Sequence, residues 1–151
     1  LFFDNVGLFD DFAPHMRNVF PKRSITAITA LDRSAWSLRK YANVLYFIFP
    51  NTLFLIQPDH VSVFQIYPRG PHASEIRAYT LIPELPTTEK AAAYWKKNID
   101  ILFSAVDEDL TIGESIQSGI ESAGSFHYGR FEQSLDQFQR AVESAVQRAG
   151  K

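Results

Sequence analysis

The sequence predicts an α+β fold: a curved antiparallel sheet, a long helix laid across it, and a second helix closing one end. Three observations predict it. Over residues 43–82 the pattern changes from helical to extended, as short apolar runs cut by Pro, Asn, Asp and Gly. Residues 87–122 then carry the longest helical pattern in the chain, without a proline. A last amphipathic segment places Phe131, Leu135, Phe138, Val142 and Ala145 on one face and polar residues on the other.

Taken in order, residues 1–23 mix apolar side chains with Asp4, Asp10 and Asp11, then give a strand at 16–20 closed by Pro21. Residues 24–30 and 32–41 are expected to form one or two short helices anchored by Trp36 and Leu38. Asp32 is the expected cap, because its carboxylate can accept an orphaned backbone N–H. The extended runs are 44–49, 52–56, 61–67 and 75–82, separated by Pro50-Asn51, Gln57-Pro58-Asp59-His60 and Pro68-Arg69-Gly70-Pro71. Such short connections suit an antiparallel meander, since parallel strands need long crossovers. In the last run Ile76, Ala78, Thr80 and Ile82 alternate with Arg77, Tyr79 and Leu81, as in a sheet with one drier face. Pro83 and Pro86 end the sheet, Thr87 is the expected cap of the long helix, and Glu89 lies in its first turn, where the helix dipole favours negative charge. Gly124 and Gly129 mark a break before the final helix.

The totals limit the function classes. A chain of 151 residues, 46% hydrophobic and 14% aromatic with 13 Phe, has the composition of one globular domain with a bulky core or an apolar pocket. A net charge of -2 without a Lys/Arg cluster leaves no electrostatic footprint for nucleic acid. No apolar run is long enough to cross a membrane and no signal peptide is recognisable, so cytoplasmic residence is the expectation. With no Cys, this chain holds no disulfide, thiolate zinc site or iron–sulfur cluster. It opens on Leu1-Phe2-Phe3 as if inside a structural element, and residues 1–151 are therefore expected to be a single but incomplete domain of a longer polypeptide.

Asp109 is the chemical anomaly. At about 100° per residue, Trp95, Ile99, Leu102, Val106, Asp109, Gly113, Ile116 and Ile120 form one stripe, so a carboxylate occupies a position the pattern reserves for an apolar side chain. An isolated buried carboxylate is costly unless paired or bound to metal. An ion-paired residue, a metal ligand and a general base all fit this position. Gly113, one turn on, clears space beside Asp109 for a pocket or for close packing. Among the histidines, His60 and His72 fall in turns and are expected to be exposed, while His15 suits a structural hydrogen bond and His127 a cap or a partner contact. Arg17, Lys22 and Arg23 are expected to form a solvated basic turn. No nucleophile elbow, P-loop or dinucleotide fingerprint is present.

Asp109, Glu114, Gln117, Gly119, Ser122, Gly129-Arg130 and Glu132, with Phe138 in the last helix, resemble the C-terminal end of the catalytic domain of Rieske non-haem iron ring-hydroxylating oxygenase α subunits. Pro14-His15-Met16-Arg17, Phe49-Pro50-Asn51 and Ile56-Gln57-Pro58-Asp59-His60 are similar to the same family, so the resemblance spans nearly the whole chain. It implies a helix-grip fold of the START or Bet v 1 type, with mononuclear Fe(II) held by two histidines and one carboxylate, leaving positions open for O2. The family's carboxylate ligand, five residues before a Glu, corresponds to Asp109, followed here by Glu114. The resemblance further implies an aromatic substrate, a ferredoxin or reductase as electron donor, a homotrimer and a possible β subunit. Leu102, Val106 and Gly113, a turn from Asp109 on the same face, are the pocket candidates. Two departures stand out: the family's H-x4-H ligand pair is missing, and so is the domain that carries its [2Fe-2S] Rieske cluster. A metal-free START-like module binding a hydrophobic small molecule is the alternative expectation.

Overall fold

In the computed structural model, which describes residues 7–120, 122 and 127–150, the extended runs of 43–82 become four strands of a six-stranded sheet. These are β3 (Ala42–Ile48), β4 (Thr52–Ile56), β5 (Val61–Gly70) and β6 (Ala73–Leu81), preceded by β1 (Leu8–Phe12) and β2 (His15–Pro21). The spatial order follows the chain order and every neighbouring pair is antiparallel, giving the expected meander. The expected strand at 16–20 lies within β2. Predictions about residues 1–6 and 123–126 lie outside the described residues.

β1 was not expected, because Asp10 and Asp11 break its apolar pattern. It forms because its charges have partners: Arg17, directly across in β2, donates to Asp10 Oδ2 at 2.8 Å and lies over the rings of Phe12 and Tyr46. Arg17 is therefore a strand residue whose guanidinium pKa is raised by Asp10, not part of a solvated basic turn. At the opposite end of the sheet Arg77 and Arg69 both bond Glu75, and they hold its carboxyl below the usual range. The β5–β6 connection carries a register irregularity between Pro68 and Gly70, where Gly70 adopts a φ of +156°, a conformation other residues rarely take.

The register sorts the side chains onto two faces. On one, Val19, Val44 and Ile56 stand in line across β2, β3 and β4, and Val19 and Val44 pack with Ala42 as a buried cluster flanked by Tyr46 and Ile56. On the other, Met16, Phe47, Leu53, Phe64 and Ala78 form a row. Ala78 and Thr80 are half-buried there while Arg77, Tyr79 and Leu81 are exposed, as the alternation expects, but Ile76 on the same face is exposed.

Between β2 and β3 lie two 3-10 segments, Arg23–Ala30 and Arg33–Ala35, and the one-turn helix α1 (Leu38–Tyr41). Asp32 caps as predicted, accepting from Ser34 N at 2.9 Å and Ser34 Oγ at 2.6 Å, and these bonds hold its carboxyl below the usual range. Trp36 and Leu38 do not anchor the segment; both are about half exposed, and Tyr41 is the buried residue instead. Elements of one turn present too little surface to bury several side chains. Trp36 donates its indole N–H to the Leu31 carbonyl at 3.2 Å.

The chain divides into two compact units, Leu1–Ile82 with Tyr128–Lys151, and Pro83–His127. The second unit is dominated by α2 (Glu89–Ile120), 32 residues long. Its cap is Thr88 and not Thr87: the Thr88 hydroxyl accepts from Ala91 N at 3.2 Å, the N3 bond expected of an N-cap side chain. The first unit ends in α3 (Gln133–Ala149). The elements are thus an antiparallel sheet, a long helix and a C-terminal helix, an α+β set consistent with a helix-grip fold.

Val44→Ala removes two methyl groups from the only cluster of fully buried aliphatic side chains among the described residues. It is expected to lower the unfolding free energy by about 2 kcal/mol, read as a lower urea midpoint with unchanged slope. A midpoint equal to that of the parent protein would remove this cluster from the core.

Candidate functional site

α2 carries all four residues singled out for chemistry, and their environments differ. Trp95, Ile99, Leu102 and Val106 are half-buried, whereas Asp109, Gly113 and Ile116 are exposed. The stripe keeps its helical phase throughout, but its shielding is interrupted from Asp109 to Ile116 and resumes at Ile120, which is half-buried. Asp109 is therefore not a desolvated carboxylate in this structure, and the cost of burying it does not arise. A Cβ built on Gly113 meets no heavy atom within 4 Å, so close packing does not account for this glycine.

The histidines have separate duties. His15 Nδ1 accepts from Phe49 N at 3.1 Å, a structural hydrogen bond that ties β2 to the end of β3. His60 is buried, at 7% exposure, against the expectation for a turn residue. Its Nδ1 lies 2.8 Å from Asp59 Oδ1 and its Nε2 lies 2.7 Å from Gln57 Nε2. Since the carboxylate only accepts and the amide nitrogen only donates, both contacts are satisfied by a neutral ring protonated on Nδ1. The turn folds inward to meet these bonds, which is how it escapes the exposure typical of turns. His72 and His127 are exposed.

Among the described residues no three His, Cys, Asp or Glu side chains converge as a metal cluster. A mononuclear iron requires several donors directed at one point. The described residues alone do not complete such a centre.

The sheet unit offers two further features. One is the face bearing Leu45, Phe47, Leu53, Leu55, Phe64 and Ile66, which also carries Asn18, Thr80 and two buried oxygens without a hydrogen-bond partner, Asn43 Oδ1 and Ser62 Oγ. Buried polar atoms are rarely left unpaired, which makes these two oxygens unusual. The other is a cleft of about 500 Å³ beside β1 and α3, lined by Phe9, Asp11, Gln137, Arg140, Ser144 and Arg148 among others. α3 is held here by Gln137, whose amide donates to Asp11 Oδ1 at 2.7 Å and to the His15 carbonyl at 3.2 Å, and by Phe138, which meets Phe47 edge-on at 5.2 Å between centroids. Arg140 pairs with Asp136 one turn back, which raises the arginine pKa.

Against known families, the model for the ring hydroxylating alpha subunit (catalytic domain) matches residues 5–148. The chain belongs to this family. No curated protein and no solved structure matches it. Membership of the ring-hydroxylating α-subunit family supports a general oxygenase role for the domain, and among the described residues no helix is long and apolar enough to cross a membrane.

Gln137 and His60 escaped the reading of the sequence because both act through contacts that periodicity does not encode. Gln137 bonds a residue 126 positions away. For His60 a local signal existed, since Gln57, Asp59 and His60 occupy one turn, where side chains reach one another readily.

Gln137→Leu removes both bonds from α3 to the first hairpin and leaves the Asp11 carboxylate with one donor fewer. A loss of about 1 kcal/mol is expected, with faster amide hydrogen exchange across α3 than in β3. Unaltered exchange in α3 would show that Phe138 alone holds the helix.

Proposed function

We propose that this chain forms part of the catalytic domain of an aromatic ring-hydroxylating oxygenase, which inserts oxygen from O2 into an aromatic substrate at a mononuclear non-haem iron. The observation that carries the proposal is the family match over residues 5–148. Its order of motifs, from Pro14-His15 to Phe138, supports the reading independently of any single residue.

Within that reading Asp109 is the carboxylate donor to Fe(II), with its histidine partners supplied from outside these 151 residues. Iron, when bound, supplies O2 activation. This chain's own part is to bind and orient the ring. Leu102, Val106 and Gly113 are the pocket residues proposed on α2. The expected assembly is a homotrimer served by a ferredoxin or reductase, with the [2Fe-2S] cluster on a separate domain and a β subunit as an optional addition.

The test uses the full-length protein reconstituted with a reductase system and a panel of monocyclic aromatic acids and hydrocarbons under 18O2. Label in the ring hydroxyl of a product is the expected result, and absence of any O2-dependent product overturns the proposal. Asp109→Ala is expected to lower bound iron by at least about tenfold, as removal of a first ligand should. Unchanged iron content with unchanged secondary structure would remove Asp109 from the ligand set and leave the oxygenase reading to the labelling experiment alone.

A further inference from the structure

The cleft beside β1 and α3 takes no part in the proposed oxygenase chemistry, yet it has the parts of a peptide-binding groove. β1 is the first strand of the sheet, and among the described residues it pairs with β2 alone. Alternate residues of such an edge strand turn their N–H and C=O groups outward, unpaired, which makes the edge a template for an added strand. α3 forms the opposite wall. Its cleft-lining residues include Gln133, Gln137, Ala141, Ser144 and Arg148, spaced three or four apart so that they share one helical face. Ala141 and Ser144 are small and leave room for the side chains of a strand lying against the helix.

The charges in the cleft give it a direction. Asp11 accepts from Ala13 N and from Gln137, and Asp136 is neutralised by Arg140. No ion pair involves Arg148 among the described residues, and it stands three turns beyond Gln137, about 16 Å along the helix axis. A cleft of this kind has a carboxylate at one end and an available guanidinium at the other. The five residues of β1 span a similar length, about 16 Å.

We infer that the β1–α3 cleft binds an extended peptide as an added strand on β1, with a carboxylate of that peptide, its C-terminus or an acidic side chain, paired to Arg148. Main-chain bonds to the β1 edge supply affinity, and the pockets beside Phe9 and Ala141 select every second side chain, as in other β-augmentation grooves. A second copy of β1 is a poor occupant. Two-fold antiparallel pairing centred on the strand sets the Asp10 carboxylates of the two copies opposite one another, which is destabilising.

The probe is a fluorescein-labelled octapeptide of alternating Val and Thr with an N-terminal Lys and a free C-terminal carboxylate, titrated into the protein and followed by anisotropy. Saturable binding is expected, with affinity at least about tenfold lower for the C-terminal amide and for Arg148→Ala, the loss expected of one charge-assisted bond. Ala141→Trp, which fills the groove without touching the β1 edge, is expected to abolish binding while circular dichroism stays unchanged. In amide-exchange measurements the bound peptide is expected to slow alternate amides of β1 and to leave those of the other edge strand, β6, unaffected. Equal affinity for acid and amide, protection on β6 in place of β1, or no saturable binding at millimolar peptide would each overturn the inference.

Discussion

Val44 lies opposite Val19 on one side and Ile56 on the other, and this line of three side chains holds the sheet in register. Because side chains alternate with a period of two, a slip of one residue would send all three to the other face. Everything built on the sheet depends on that alignment. It brings Arg17 against Asp10, sets Phe47 where Phe138 can reach it, and collects Leu45, Leu53, Leu55 and Phe64 on a single face. The buried cluster is small, so pairing along the ladders carries a large share of the sheet's order.

The two units carry different features. On α2 Asp109 is exposed within a stripe whose half-buried members are Trp95, Ile99, Leu102, Val106 and Ile120. The sheet presents a mainly apolar face with two unpaired buried oxygens, Asn43 Oδ1 and Ser62 Oγ. Membership of the ring-hydroxylating α-subunit family supports a general oxygenase role for the domain.

α3 departs from the usual amphipathic helix. Its apolar side chains Leu135, Phe138, Val142 and Val146 remain substantially exposed, Val146 at 66%, while the half-buried positions are Ser134, Asp136, Gln137, Ala141 and Ala145. Hydrophobic periodicity correctly predicted a helix there, but not the face it turns inward. Gln137 decides that orientation by bonding Asp11 and the His15 carbonyl, contacts made by a polar residue on the side of the helix that the periodic pattern does not mark.

By itself the sequence determined the strands β2 to β6, the antiparallel order, the long helix, the Asp32 cap and the family, because each rests on local periodicity, turn chemistry or a linear order of motifs. Only the tertiary structure decided the rest. β1 exists because Arg17 answers Asp10 across the ladder, His60 is buried because Gln57 and Asp59 satisfy both ring nitrogens, and Asp109 is exposed because helical phase does not say whether anything covers a stripe. The physical reason is common to all three. Periodicity reports the direction of a side chain relative to its own backbone, whereas burial and pairing depend on residues brought near by the fold of distant segments or by the closing of a turn.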